Sequence, residues 1–215
     1  MKKIILMFAL IISGLSMNSC KKKSTTPTTT TPTTTDTTKN SGNNTSNLLC
    51  DGTAKNEYMP LNSGNSWVYT NSFFDNYNLT DSMDYNNKKY YKNGEKYIYY
   101  GIDPVTKDIY YYSGYFQLEY MMIPANPTLN QTWEFPNKMI GSTIEYRKVT
   151  NLNATTKTSK CTYNNVLEVS IYSDSNYTKL VGIYYYKKGL GLVNMYESNG
   201  LGGFSYNSLE SVVIK

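Results

Sequence analysis

The side chains that could do chemistry are few in this chain of 215 residues. It contains three cysteines, Cys20, Cys50 and Cys161, and no histidine. Without an imidazole, Ser-His and Cys-His nucleophilic sites and histidine-based metal sites are excluded. We therefore assign no catalytic residue, no metal ligand and no cofactor from the sequence.

Cys20 stands at the end of a segment typical of export signals. Lys2 and Lys3 are followed by an apolar run over residues 4–15, which is too short to span a bilayer as a helix. The sequence around Ser19-Cys20 resembles the lipobox of bacterial lipoproteins. The resemblance implies a signal peptide over residues 1–19 and a lipid on the Cys20 sulfur, whereas the alternative is an ordinary secretory signal with a coincidental cysteine. Two or three acyl chains would give a stable membrane anchor.

Cys50 and Cys161 remain for a disulfide. Two thiols in an oxidising compartment favour one bond, which would join the start of the folded domain to a segment about 110 residues later. The alternative is two unpaired cysteines. A zinc site is disfavoured, because two cysteines without histidine supply too few ligands.

Residues 20–47 are predicted to be a disordered tether that begins with the lipidated cysteine. They are rich in Thr, Ser and Pro and almost devoid of apolar side chains. A flexible coil over residues 21–47 has ends roughly 30 Å apart and reaches about 90 Å when extended. The net charge of +5 comes from the first 47 residues, since residues 48–215 hold 15 basic and 15 acidic side chains. A neutral domain lacks the basic surface of a nucleic-acid binder.

Residues 48–215 are predicted to form one all-β domain. All 23 tyrosines lie there, and AT-rich codon usage is the simplest explanation of their number. Short runs of alternating polarity, such as residues 67–73 and 166–172, are separated by turn residues. Such runs predict an antiparallel meander of about ten strands, which would form a strongly curved sheet, half-barrel or barrel.

Three local patterns refine this prediction. Asn93-Gly94 predicts a two-residue hairpin turn, and Asp103-Pro104 predicts another turn. Two segments that begin with an apolar-Pro pair, Pro60 and Pro124, lead through polar residues to Trp67 and Trp133. We predict that both indoles are buried in the core.

Two segments of the predicted domain, one near its start and one near its end, resemble segments of uncharacterised lipoproteins of the Gram-negative bacterial envelope. Pro60-Leu61, Gly64, Trp67 and Tyr69 are similar to a PLxxGxxWxY opening, and residues 186–193 are similar to a YxxGxGLV segment. The resemblance covers most of residues 57–196. It implies a curved antiparallel sheet and no particular activity. The GLG step of the second segment is predicted to be a tight turn or bulge, because a nucleotide loop would need a following helix and a third glycine.

Three functions fit these observations. The first is a non-catalytic envelope lipoprotein whose β-domain binds a glycan or a protein partner. The lipid would anchor it most simply in the outer membrane, on either the periplasmic or the surface face. The second is a lipid or lipoprotein carrier with an apolar hollow. The third is a hydrolase with paired carboxylates, for which Asp103, Glu134, Glu145 and Glu168 are candidates, although each is expected to face solvent on a strand.

Overall fold

A single large sheet dominates the domain. The computed structural model describes residues 45–70, 76–137, 143–198 and 203–215. A short helix, α1 (Thr45–Asp51), precedes twelve strands. The strands are β1 (Ser66–Tyr69), β2 (Tyr77–Tyr85), β3 (Lys88–Asn93), β4 (Ile98–Ile102), β5 (Ile109–Ser113), β6 (Leu118–Ile123), β7 (Thr132–Asn137), β8 (Thr143–Lys157), β9 (Thr162–Tyr172), β10 (Leu180–Lys187), β11 (Gly191–Ser198) and β12 (Phe204–Val213). The predicted all-β antiparallel meander is confirmed, with twelve strands where about ten were expected.

The sheet is nearly closed into a barrel. Its strand order is β6-β5-β4-β3-β2-β1-β12-β11-β10-β9-β8-β7, so pairing of β1 with β12 joins the first and last strands. The edge strands β6 and β7 are not paired in this order, but side chains connect them. The Phe135 ring on β7 lies 5.7 Å from that of Tyr111 and 5.9 Å from that of Tyr120, centroid to centroid. Arg147 on β8 also donates to the Met122 carbonyl of β6, at 3.4 Å.

The interior of the curved sheet is filled by side chains. Val149, Val169, Tyr184 and Met195 are paired in succession across β8 to β11, and residues paired in this way lie on the same face. Val149, Val169 and Met195 are buried in the common core, and Tyr184 packs against it. The alternation of strand side chains therefore supplies a packed core to the inner face.

The first hairpin turn differs from the prediction. The two-residue turn is Asn86-Asn87, between β2 and β3, where both residues have positive φ angles of 48° and 60°. Such a pair of angles is typical of a primed turn, and asparagine tolerates them. The prediction of a two-residue turn at Asn93-Gly94 is wrong, because Asn93 still belongs to β3 and residues 94–97 form the loop. The Asn93 side chain instead accepts a hydrogen bond from the Asn78 backbone N–H at 2.8 Å.

Other boundaries are partly as expected. Asp103 does open the β4–β5 turn, accepting hydrogen bonds from the Val105 and Thr106 N–H groups at 2.8 and 2.9 Å. The strand predicted over residues 67–73 is shorter, since β1 ends at Tyr69, and residues 71–75 lie outside the described part. Helix α1 begins at Thr45, three residues before the expected start of the domain.

Candidate functional site

The predicted signal peptide, Cys20 and nearly all of the tether lie outside the described residues. The described chain begins with α1, and none of its helices is long and apolar enough to cross a bilayer. Lipidation of Cys20 therefore remains a prediction from the sequence.

A disulfide holds α1 against the sheet. The structure joins Cys50 of α1 to Cys161, which precedes β9, with Cα atoms 5.3 Å apart. Beside this bond, the Tyr163 hydroxyl donates to the Leu49 carbonyl at 2.9 Å. The beginning of the described domain is therefore fixed next to the β8–β9 turn.

The two segments that carry the family resemblance contact each other. Trp67, 1% exposed, donates from its indole N–H to the Leu190 carbonyl at 2.6 Å. Two residues later, the Tyr69 hydroxyl donates to the Leu192 carbonyl at 3.0 Å. These bonds attach β1 to the β10–β11 turn and to the start of β11, so packing accounts for Trp67 and Tyr69. The GLG step, residues 189–191, begins in the turn over residues 188–190 and leads into strand β11, not into a helix.

Trp133 is less buried than the sequence suggests. It packs against the core but stays partly exposed, and its indole N–H is buried without a partner in the described structure. The physical reason is its position on β7, an edge strand that is paired only with β8. Trp67, in contrast, lies on a strand with neighbours on both sides.

The four carboxylates considered from the sequence do not gather at one place. Asp103 caps a turn, and Glu134 is exposed on β7. Glu168 accepts a hydrogen bond from the Thr150 hydroxyl at 2.7 Å on the outer face. Glu145 is paired with Phe135 of β7 and shares the inner face with Arg147. The arrangement gives these four residues no common cleft.

Glu145 belongs to a charged cluster inside the sheet that the sequence did not predict. It forms an ion pair with Arg147, whose Nη2 lies 2.8 Å from the Glu145 Oε2. Arg147 is 4% exposed, and its guanidinium carbon lies 3.8 Å from the centroid of the Phe135 ring. The Tyr184 hydroxyl donates to Glu197, which is electrostatically coupled to Arg147. Alternation along β8 would have placed residues 145 and 147 on one face, but only tertiary structure brings β11 beside them.

The surroundings shift the pKa of two groups of this cluster, Glu197 and Arg147. Burial raises the pKa of Glu197 above the ordinary glutamate value, and the hydrogen bond from Tyr184 opposes this effect in part. Burial lowers the pKa of Arg147, but Glu145, Tyr186 and Tyr184 together outweigh this effect, so that the pKa is raised and the guanidinium stays charged. Arg147 is held by the Glu145 carboxylate, the Met122 carbonyl and the rings of Phe135 and Tyr184. We therefore interpret the cluster as a structural ion pair. No group of three or more acids or cysteines in the described residues is placed to hold a metal ion.

A row of tyrosine rings crosses the outer face of β10, β11 and β12. Tyr185, Tyr196 and Tyr206 form this tyrosine row, with ring centroids 5.8 Å and 4.5 Å apart in succession. Tyr206 is 65% exposed, and Phe204, two residues earlier on the same face, is 47% exposed. With strands about 4.8 Å apart, the row covers about 10 Å of surface.

Polar groups border the tyrosine row on one side. Next to Tyr185, Glu168 and Ser170 share contacts with the Thr150 hydroxyl, at 2.7 and 3.1 Å. Burial, and then the neighbouring Glu168 carboxylate, raise the pKa of Tyr185. The phenol is therefore a neutral hydroxyl at physiological pH. The surface thus combines ring faces with hydrogen-bonding groups.

A second set of exposed rings lies at the tips of two neighbouring hairpins. Tyr97 in the β3–β4 turn and Tyr115 in the β5–β6 turn have centroids 4.9 Å apart, and Phe116 is exposed beside them. The two turns are joined by a 2.7 Å hydrogen bond from the Gly114 N–H to the Tyr97 carbonyl. These hairpin-tip aromatics are a separate surface from the tyrosine row.

Two cavities adjoin the segment that follows α1. One, of about 280 Å³, is bounded by residues 56–58, Lys107, Ile109 and residues 125–126. The other, of about 460 Å³, is lined by Asp51, Thr53, Lys55, Tyr58, Leu152, Asn153, Asn165, Lys187 and Lys188. Most of the residues around both cavities are polar or charged, so neither resembles an apolar hollow for acyl chains.

Comparison with known proteins gives one weak structural likeness. No family model and no curated protein matches the chain. A crystal structure of a candidate lipoprotein from Parabacteroides distasonis is similar over 73% of this chain and 98% of its own, with 12% identity and a TM-score of 0.35. This likeness is too low to carry an argument, so the function proposed below depends on the residues of the chain itself.

Proposed function

We propose that the protein is a lipid-anchored lipoprotein of the bacterial cell envelope, most simply of the outer membrane, whose β-domain binds a glycan without catalysis. The anchor is the acylated Cys20, and residues 21–44 connect it to α1. The tyrosine row on β10–β12 is the glycan-binding surface.

The observation that carries the glycan proposal is the continuous row of three rings, of which Tyr185 and Tyr196 are half-buried and Tyr206 is exposed. A phenol ring offers an apolar face to the C–H groups of a sugar, while its hydroxyl stays available for hydrogen bonds. The half-buried Glu168 carboxylate lies next to the row and can accept a hydrogen bond from a sugar hydroxyl. A length of about 10 Å suits a short oligosaccharide rather than a single ring.

The other two functions receive less support. A carrier needs a hollow lined by apolar side chains, but Trp67, Tyr186, Leu190 and Val193 fill the described interior. A carboxylate hydrolase needs two acids that face a common substrate. The two acids that do approach each other, Glu145 and Glu197, are occupied by Arg147 and Tyr184.

The anchor is tested by Cys20→Ser in the full chain. We expect the variant to leave the membrane fraction and to lose metabolic labelling by fatty acids. Cys50→Ser is the matched control, since it removes a cysteine but keeps the lipidation site, and it should remain labelled. Labelling that persists in Cys20→Ser would contradict the anchor and leave the glycan proposal standing.

The glycan surface is tested with an array of bacterial envelope polysaccharide fragments. Replacing Tyr196 and Tyr206 by Ala removes two rings, each worth roughly 1 kcal/mol of stacking, and should weaken binding about thirtyfold. The control, Tyr97→Ala with Tyr115→Ala, removes two exposed tyrosines at the hairpin tips. If the control loses binding and the tyrosine-row variant keeps it, the proposed surface is wrong.

A further inference from the structure

The larger of the two cavities lies beside α1 and is bordered by three lysines. Lys55 follows α1, and Lys187 and Lys188 lie where β10 ends. Asp51 supplies the one carboxylate of the lining. In a domain whose charges balance overall, this cavity has an excess of positive charge.

The ammonium groups of these lysines contact main-chain oxygens or an aromatic ring rather than Asp or Glu side chains. Lys187 donates to the Asn164 carbonyl at 2.7 Å, and Lys55 donates to a backbone oxygen of Lys215 at 3.0 Å. The Lys188 Nζ lies 5.2 Å from the centroid of the Tyr58 ring. Among the described residues, none of the three forms an ion pair with an Asp or Glu side chain. An ammonium has three N–H donors, so each lysine has donors left for an anion.

Neutral donors complete the lining. Asn153 and Asn165 contribute side-chain amides, and Tyr58 and Leu152 form an apolar wall. A cavity of about 460 Å³ is large enough for a phosphate group with a small organic substituent.

The position of the cavity relative to α1 is fixed. Asp51 is the last residue of α1, and the Cys50–Cys161 disulfide holds that helix to the sheet. Thr53, on the cavity lining, bonds to the Gly189 carbonyl through its N–H at 3.1 Å and its hydroxyl at 2.8 Å. The cavity is therefore held beside α1, the element with which the described domain begins.

We propose that this lysine-lined cavity binds a phosphate group, and that in the anchored protein the group belongs to an anionic phospholipid. Binding there would hold the domain against the bilayer by the side that bears α1. The inference goes beyond glycan binding and uses different residues.

The test uses the full chain with Cys20→Ser, so that acylation does not contribute. Binding to vesicles of phosphatidylglycerol and phosphatidylcholine is measured by co-sedimentation at low salt, beside vesicles of phosphatidylcholine alone. The variant replaces Lys55, Lys187 and Lys188 by Gln. A basic side chain near an anionic bilayer contributes roughly fivefold to binding. We therefore expect the variant to bind at least tenfold more weakly, after allowance for the hydrogen bonds that already restrain two lysines.

The charge-matched control replaces Lys92, Lys148 and Lys179 by Gln, and it should bind like the parent. A third variant, with Arg at the three cavity positions, keeps the charge and should also bind. In a second arm, glycerol 3-phosphate is titrated while the Asn153 and Asn165 side-chain amides are followed by NMR.

Each outcome decides the proposal. Shifts of those amides with a lysine-dependent loss of vesicle binding support a lipid phosphate, and shifts without vesicle binding support a soluble phosphate in the same cavity. Equal vesicle binding by the cavity variant and its charge-matched control, with no amide shifts, would overturn the site. Circular dichroism of the variants verifies that they fold.

Discussion

At Gly189 the backbone of the β10–β11 turn approaches the backbone of Thr53 too closely to leave room for a side chain. Replacing this glycine is therefore a direct test of the fold. It has a φ of +73°, and a Cβ added there would lie 2.2 Å from the Thr53 carbonyl oxygen and 2.9 Å from that of Lys55. Both distances are below any real Cβ contact with an oxygen, so the backbone must move. Gly189→Ala should therefore separate the segment after α1 from the β10–β11 turn.

The expected cost follows from what would be lost. An L-residue at this φ costs about 1 kcal/mol. The Gly189 N–H donates to the Glu57 carbonyl at 2.8 Å, and its own carbonyl accepts two bonds from Thr53. Loss of two or three such bonds, at about 1 kcal/mol each, brings the total to about 3–4 kcal/mol.

Gly94→Ala provides the matched control. Its φ is also positive, at +55°, but nothing lies within 4 Å of an added Cβ. Only the conformational cost of about 1 kcal/mol should appear. The free energy of unfolding is measured by urea denaturation of both variants with the disulfide intact. If the two variants lose the same stability, then the contact between Gly189 and Thr53 does not exist in solution.

Two further perturbations test the disulfide and the charged cluster. Cys50→Ala should lower the free energy of unfolding by about 4 kcal/mol, because the disulfide with Cys161 spans 111 residues. Reductant breaks the bond in the parent protein as well, so an equal difference between variant and parent under reductant would contradict the disulfide. Glu197→Gln should stabilise the protein at pH 7. The raised pKa of Glu197 means that its ionisation is less favourable in the folded protein than in the unfolded chain, and Gln does not ionise. This gain should vanish below about pH 4.3, whereas the control Glu145→Gln should destabilise by about 3 kcal/mol by leaving buried Arg147 unpaired. A Glu197→Gln gain that is the same at pH 4 and pH 7, in thermal or urea unfolding, would refute the assigned pKa direction.

Local patterns in the sequence predicted the class of fold but not all of its turns. Alternating polarity depends on neighbouring residues alone, so β9, β10 and β11 could be predicted. The thirteen residues from Asn151 to Tyr163 are mostly Thr, Asn and Lys, and most of them belong to the long strands β8 and β9. Such polar residues carry no hydrophobic period, and their strand structure depends on pairing with each other and on packing around Val166. The prediction of a turn at Asn93-Gly94 was wrong because Asn93 belongs to β3. Its side chain accepts a hydrogen bond from the Asn78 N–H of the neighbouring strand β2.

The surfaces and sites required the tertiary structure. The sequence by itself gives the all-β domain, the cysteine pair, the absence of imidazole chemistry and the predicted anchor at Cys20, because each depends on residue types or on short-range order. It could not show that Tyr185, Tyr196 and Tyr206 form one surface, because they come from three strands whose register is set by bulges and pairing. It also could not join Lys55 to Lys187 and Lys188, more than 130 residues away. Those contacts exist because a nearly closed sheet and a disulfide bring distant segments together.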